Sequence, residues 1–507
     1  MTDLLKTYTT TIAASIVIAT ILAMTSPLYA QDDTTQTHFD NDTTLAFRGN
    51  DTTPISFIQN DTICLVSRIN ITGNKKTKSK VILCELELEP GDTVSASRLP
   101  ALIDKSTTNL KKTSIFNYVT ITYTTDEDSL HAGLNVVDIN INVEECWYTW
   151  PMFDISPHNG NLNEWFAHPD FSLIDYHIGV KRYNFRGRRE SISILFKRGF
   201  NNITQIGYEN IAIDRHRKHL ISIFASVQKQ NNVMINTQDD KALYRDFEGS
   251  KKAFDGYEYN IFYKHRPSID MYNIVSVGYL SAQIRDSVAI VNPNFLGNGR
   301  TRIEGLTLSY TFRLDKRSSS YYPLKGSFLT TTIKKYGITS NTLDLLNITL
   351  DTRKYMQLAP RQYFAAQFYG IISSKSTPFH LMEAIGFKPN IVPGYEHNMI
   401  KGASLAYIKT SYKFELVSPH IFHIKWLPFK KFNKIHYAIY LNAFANAGYT
   451  TPKDDDAIYN NTMSDTFLGA GGIGIDFVTY YDRVLSAFVT RNIQGGMYVG
   501  IGFKSSF

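Results

Sequence analysis

Beyond its first 30 residues the sequence contains no run of about 18 apolar residues, the minimum for a helix that crosses a bilayer. A helical membrane protein is thereby excluded. Cysteine is scarce, with 3 in 507 residues, and the number is odd. No Cys-x-x-Cys pair occurs, which removes a zinc ribbon, a thioredoxin-like site and a disulfide-built scaffold. Cys64, Cys84 and Cys146 read as buried free thiols, with a Cys64–Cys84 bridge as the alternative. The chain also lacks a concentrated Lys/Arg run, and its net charge is only +7, so nucleic acid is not an expected partner. A nucleophile elbow, a P-loop and a zinc-protease motif are all missing, and the 13 histidines form no metal-spaced pair. The expectation is a protein that is not an enzyme and has no catalytic residues, cofactor or metal.

What is abundant is aromatic and β-forming. Aromatics make up 13% of the chain, as 31 Tyr and 31 Phe against 4 Trp. Such rings favour strands and membrane interfaces. The mean hydropathy of −0.20 is that of a soluble protein, but a transmembrane barrel with a polar interior averages to the same value.

Residues 1–30 have the layout of a signal peptide. Lys6 supplies positive charge, Ile12 to Met24 is an apolar run too short to span, and Ala30 precedes Gln31. An exported chain without a helical anchor is either soluble or a barrel. Residues 31–60, rich in Asp, Thr, Gln and Asn, have no hydrophobic period and read as a flexible lead-in.

Residues 61–146 are ordered differently. Cys64 to Ile71 is β-like, Gly73-Asn74-Lys75-Lys76 is a turn, and Lys78 to Glu87 is helix-like. Gly91-Asp92 breaks that helix. Ser97 to Lys112 then puts Leu99, Leu102, Ile103, Ser106 and Leu110 on one helical stripe. Phe116 to Tyr123 and Leu134 to Val143 alternate as strands. The β-α-α-β-β order, the glycine turn after the first strand, and Thr113-x-Ile115-Phe116-x-x-Val119-x-Ile121 resemble a POTRA domain. That resemblance implies a small periplasmic module attached to an outer-membrane barrel, one that receives client chains partly by strand addition at a sheet edge. A generic spacer domain is the alternative.

From Trp147 to Phe507 short alternating segments recur. Leu306, Leu308, Tyr310, Phe312 and Leu314 oppose Thr307, Ser309, Thr311 and Arg313. Leu346, Ile348 and Leu350 oppose Asn347, Thr349 and Asp351. Strict period-two alternation gives one apolar and one polar face. The charges on the polar faces, such as Arg313, Asp351 and Arg353, favour an outward apolar band around a polar lumen over a soluble sandwich. About sixteen segments begin near 150, 177, 190, 203, 218, 253, 272, 301, 327, 344, 362, 404, 436, 466, 483 and 496. The expected fold is mostly β: a roughly 16-stranded antiparallel transmembrane β-barrel at 147–507, preceded by one small α+β domain at 61–146. An even strand count puts both ends of the barrel on the periplasmic side.

Gly469-x-Gly471-x-x-Gly474 matches a dinucleotide fingerprint by spacing alone. The alternating strand continues through it as Ile475-Asp476-Phe477-Val478, where the fingerprint requires a helix, so these glycines read as strand residues. Asp454-Asp455-Asp456 reads as a solvated loop and not as a calcium site.

A series of motifs remains. Val392-Pro393-Gly394-Tyr395 lies in the loop between the eleventh and twelfth strands, on the extracellular side. Ser411-Tyr412-Lys413-Phe414-Glu415 follows, then Phe444-Ala445-Asn446-Ala447-Gly448, the glycine strand, and closing aromatics Phe503 and Phe507. In this order, behind a POTRA-like domain, the series resembles the BamA/TamA family of outer-membrane assembly and translocation barrels over nearly the whole mature chain. The resemblance implies a loop folded back into the lumen against strand residues at Glu415 and Asn446. Phe503 and Phe507 become a C-terminal insertion signal, and the last strand, with Gly500 and Gly502, one side of a lateral seam. It also implies an outer-membrane location with the N-terminal domain in the periplasm. The implied partners are outer-membrane lipids, unfolded outer-membrane or secreted clients, and periplasmic chaperones or accessory lipoproteins. A passive channel or surface antigen, and a secretion pore for one dedicated partner, are the alternatives.

Two positions depart from the family pattern. Pro393 stands where the family loop has arginine, and Asn446 where it has an acid. Loss of a buried arginine strands its acid at a cost, and neutralising that acid relieves it. The paired departures lead to the expectation that the loop still inserts, held by Tyr395 and backbone contacts instead of an ion pair.

Overall fold

The computed structural model describes residues 63–131, 134–157, 169, 171, 174–247, 252–319, 322–338, 340–374, 377–387, 389–423, 434–479 and 483–502. The signal peptide, the lead-in and the C-terminal Phe503 and Phe507 lie outside the described residues. Among the described residues two compact units are present: one contains 149–182 and 191–502, the other 63–148 together with the short segment Tyr183–Glu190.

In the smaller unit the strands are β1 (Ile63–Thr72), β2 (Thr93–Ser95), β3 (Phe116–His131) and β4 (Leu134–Glu145), in the order β2-β1-β4-β3. β1 and β4 run parallel, and β3 and β4 form an antiparallel pair. The helix Leu99–Lys112 buries Leu99, Ser106 and Leu110 of the expected stripe, with Leu102 and Ile103 half-buried against the same core, and it also buries Asn109, which the stripe did not include. The first helix is shorter than its sequence suggests, Ser79–Leu83, and a three-residue strand, β2, forms after Gly91-Asp92. Val94 of β2 pairs antiparallel with Cys64, so β1 captures this piece by backbone bonds that local pattern does not reveal. Val66, Ile82, Leu110 and Val137 are fully enclosed in one apolar core. None of the three cysteines forms a disulfide among the described residues; Cys64 is buried, and Cys84 and Cys146 are half-buried.

The larger unit holds β5 (Thr149–Pro157), β6 (Ile174–Phe185), β7 (Glu190–Gly199), β8 (Ile203–Ala212), β9 (His219–Gln230), β10 (Asn232–Gln238), β11 (Lys241–Asp246), β12 (Phe254–Ser268), β13 (Met271–Ile284), β14 (Arg302–Asp315), β15 (Gly326–Tyr336), β16 (Leu345–Ala359), β17 (Gln362–Ser373), β18 (Glu383–Ile385), β19 (Ile400–Gly402), β20 (Leu405–His423), β21 (Lys434–Thr450), β22 (Leu468–Thr479), β23 (Arg483–Asn492) and β24 (Met497–Gly502). Sixteen of these make one antiparallel sheet in chain order from β5 to β24. Each of its strands starts within three residues of the position expected from alternation. The pairs β10–β11 and β18–β19 stand outside it as hairpins within loops.

The sheet is inside-out relative to a soluble one. On β20, Tyr407, Lys409, Ser411, Lys413 and Glu415 are buried, whereas Ile408, Tyr412 and Leu416 are exposed. On β16, Asn347 is buried and Ile348 is exposed. An outer apolar face is what hydrocarbon stabilises, and a barrel is the strand architecture that leaves no backbone group unpaired in lipid. Short connections, such as 269–270 and 360–361, close one end; long ones at 231–253, 285–301, 374–404 and 451–467 crowd the other. Short periplasmic turns and long outer loops are the rule for such barrels.

The long loops pack on one another. Val233, Ile235, Phe295, Leu296, Leu343 and Phe379 share an apolar cluster. Asp240, at the tip of the β10–β11 hairpin, accepts bonds from the backbone N–H groups of Thr462 and Met463, and its carbonyl accepts from Met399 N at 2.7 Å. The acidic run is drawn into this network. Asp455 accepts from Asn236 Nδ2 at 2.6 Å, and Asp456 from Ser464 Oγ at 2.6 Å with Lys453 Nζ at 3.0 Å. Two of its three carboxylates are therefore structural and not solvated. No cluster of metal-binding side chains occurs among the described residues.

Candidate functional site

The site is built where loop 374–404 meets the inner face of β20 to β23. Its stem is the β18–β19 pair, with Glu383 opposite Gly402 and Ile385 opposite Ile400. Pairing the stem brings Val392-Pro393-Gly394-Tyr395-Glu396 back over the lumen wall. The sequence favours a tight reversal there: Tyr395 N donates to Val392 O at 3.0 Å, and Gly394 has φ +101°. That region suits glycine. A Cβ at Gly394 would also lie 2.4 Å from Ala470 Cβ on β22, so no larger residue fits without moving the loop.

Three strands grip loop carbonyls with side-chain N–H donors. Lys409 Nζ on β20 donates to Ile391 O at 2.8 Å, Asn446 Nδ2 on β21 to Pro393 O at 3.1 Å, and Asn492 Nδ2 on β23 to Gly394 O at 2.9 Å. β22 provides the acceptor: the Tyr395 hydroxyl lies 2.9 Å from Gly469 O and also 2.7 Å from Gln494 Oε1. Tyr395 is 1% exposed and packs with Val392, Ile400, Tyr407, Leu468 and Ala470. An amide at 446 suits this arrangement where a carboxylate would not, because an acid has no hydrogen to give the Pro393 carbonyl.

Glu396, one residue beyond the motif, is buried. Its Oε2 accepts from Gly394 N at 2.7 Å, and Oε1 has no hydrogen-bond partner among the described residues. Burial pushes this carboxyl up to about 7, against the opposing pull of that backbone bond and the Lys409 charge.

The structure thus brings Val392, Pro393, Gly394 and Tyr395 together with Asn446. It does not bring Glu415 to the loop. That carboxylate accepts from Tyr363 at 3.2 Å and from Ser418 at 2.6 Å, further along β20. Near it lies a second inserted segment, the connection 316–325 between β14 and β15. Its buried Tyr322 donates to Asp476 Oδ2 at 2.8 Å, and Lys413 Nζ sits 3.9 Å from the Tyr322 ring centroid. Gly500 and Gly502 lie on β24, where Gly500 pairs with Phe488 and Gly502 with Ser486. Lys409, Asn492, Gln494 and Glu396 were not singled out from sequence. Their one signal is polar identity on the lumenal register of a strand or beside the loop glycine, and dozens of other residues share it.

Residues 65–146 match the POTRA family, described as a surface antigen variable number repeat. No curated protein matches the chain. Among solved structures, the chain resembles BamA from Haemophilus ducreyi lacking POTRA domains 1–3, with 15% identity, a TM-score of 0.50, and coverage of 87% of this chain and 83% of that one. It also matches CdiB from Acinetobacter baumannii, at 13% identity, a TM-score of 0.48 and coverage of 87% and 73%. For CdiB from Escherichia coli the values are 10%, 0.45, and 89% and 92%. The chain thus carries a POTRA domain at residues 65–146, followed by a sixteen-stranded barrel with the fold of the BamA structure.

Proposed function

We propose that this protein resides in a bacterial outer membrane, with its POTRA domain in the periplasm, and assists insertion of proteins into that membrane or their passage across it. The supporting observation is the strand order: β5 and β24 end the sheet, and no ladder joins them among the described residues. A client strand would pair at this seam, because lipid tolerates no unpaired backbone. The POTRA domain would hold the client beforehand, with accessory lipoproteins or chaperones as further partners. No catalytic group or cofactor is required. A passive channel is disfavoured by a lumen that carries both the Val392–Glu396 loop and Tyr322.

Depletion in the native host followed by quantitative proteomics of the outer membrane tests this reading. Broad loss of other barrels is the expected result. Loss of one or a few secreted proteins would assign a dedicated translocator. An unchanged outer membrane would refute the assembly role and leave the passive barrel.

A further inference from the structure

A cluster of cations in the smaller unit plays no part in the lumenal site. After β1 the chain runs Gly73-Asn74-Lys75-Lys76-Thr77-Lys78-Ser79-Lys80, and all four lysines are exposed. Thr77 between them is 2% exposed and acts as a hub. Its N–H donates to Glu145 Oε1 at 2.6 Å and its hydroxyl to the same oxygen at 2.7 Å. That hydroxyl accepts from Asn184 Nδ2 at 2.8 Å and lies 3.0 Å from the Tyr148 hydroxyl. Lys78 N donates to Gly187 O at 2.9 Å, which adds the turn Arg186-Gly187-Arg188-Arg189 to the same surface. Gly187 has φ +68°, and a Cβ there would lie 2.0 Å from Lys76 O, so the two segments fit without slack.

The acids nearby are already committed. Arg189 pairs with Glu85 at 2.9 Å and Arg186 with Glu190 at 2.8 Å, while Glu145 is occupied by backbone N–H groups. Among the described residues no salt bridge is made by Lys75, Lys76, Lys78, Lys80 or Arg188. Trp147, 60% exposed, directly precedes Tyr148 and lies two residues beyond Glu145, both partners of Thr77. An exposed Trp beside fixed lysines combines the two features that favour a headgroup layer: an amphipathic ring and positive charge.

We propose that Lys75, Lys76, Lys78, Lys80 and Arg188, together with Trp147, form a membrane-surface contact that takes the anionic headgroups of phospholipids. Long-range attraction to an anionic leaflet needs only charge, so it would act whether or not the barrel engages clients. The contact rests on the membrane location and not on the assembly role.

The test uses the full chain in neutral detergent micelles, titrated with short-chain phosphatidylglycerol or phosphatidylcholine. Binding is read from tryptophan emission, and Trp147→Phe assigns the signal. Phosphatidylglycerol is expected to bind and phosphatidylcholine not, with the difference abolished at high salt. Each lysine lost is expected to weaken binding roughly fivefold, so K75Q/K76Q loses on the order of 25-fold. These side chains are exposed, and the heat-modifiable electrophoretic mobility of the barrel verifies folding of each variant. Equal binding of the two lipids would overturn the proposal, as would undiminished binding by K75Q/K76Q/K78Q/K80Q. So would full competition by inorganic phosphate, which marks a free-phosphate site, or by an acidic peptide, which marks a protein partner.

Discussion

The POTRA domain and the barrel apply one rule to opposite surroundings. In the domain Val66, Ile82, Leu110 and Val137 are withdrawn from water behind a polar exterior. In the barrel Ile261, Val277 and Ile348 are exposed, while Lys409, Lys413, Asn442 and Asp476 are buried. Both obey the preference of apolar surface for an apolar medium. What differs is which side of the sheet that medium occupies. Two consequences follow. The domain is held by packing, and its polar surface is free to carry charge such as the lysines around Thr77. The barrel wall is held by backbone ladders, and its buried polar face is free to bind polypeptide, as the three donors to Ile391, Pro393 and Gly394 do.

The sharpest way to break the comparison is to place charge at equivalent apolar positions. Val137→Asp in the domain buries an unpaired carboxylate and is expected to abolish folding of the domain, seen as loss of protease resistance of residues 63–148. Ile348→Lys on the barrel exterior is expected to cost roughly 1–4 kcal/mol, set by its depth in lipid, read from urea unfolding in vesicles. In a solvated strand the same change would be nearly neutral, so a negligible cost would remove Ile348 from the lipid face.

Asn446→Asp comes next. It turns a donor facing the Pro393 carbonyl into an acceptor, and without the family's arginine the charge has no partner. A loss of about 3 kcal/mol in loop docking is expected, detected as faster proteolysis within 374–404 with the barrel intact. Unchanged protection would mean that the asparagine is not a grip point.

Docking of the loop is also expected to depend on pH. The folded carboxyl of Glu396 lies at about 7, above its ordinary value of 4.5. A docked, buried carboxyl binds its proton more tightly than a free one. Stability is therefore fullest below about 4.5, falls as pH rises through that window, and levels off above about 7, with a total change on the order of 3 kcal/mol. Hydrogen exchange of residues 391–398 at pH 5 and pH 8 measures it, and Glu396→Gln should flatten the dependence.

The smallest effect belongs to Tyr395→Phe. It removes one hydroxyl shared between Gly469 O and Gln494 and keeps the packing, for about 1–2 kcal/mol of loop docking. Tyr395→Ala should exceed it, because the ring fills the cluster with Val392 and Ile400.

Much of the fold was legible because barrel strands repeat a period-two pattern. Leu306 to Leu314 and Leu346 to Leu350 announce their faces residue by residue, and the starts of all sixteen strands follow. The helix Leu99–Lys112 was legible for the same reason at period 3.6. The hairpin β10–β11 and strand β2 were not, since a hairpin among loops and a three-residue strand have too few positions for any period to emerge. At the site, Val392 to Tyr395 and Asn446 stood out by their places in a series of motifs, with Pro393 and Asn446 as its two departures. Glu415 stood out equally, yet it lies with Tyr363 and Ser418. Distance along β20 decided this, and position within a motif carries no information about where a loop tip will land.

The amino-acid sequence by itself determined which residues face lipid, which face the lumen, and where the chain changes from a soluble domain to a barrel, because alternation and helical stripes are local properties of consecutive side chains. Which lumenal groups meet the loop was decided only by the tertiary structure. Lys409, Asn446, Asn492 and the Gly469 carbonyl converge from four strands separated in the chain by dozens of residues. Register, strand tilt and the closing of the β18–β19 stem bring them to one place, and none of these is encoded in the neighbourhood of any one of those residues.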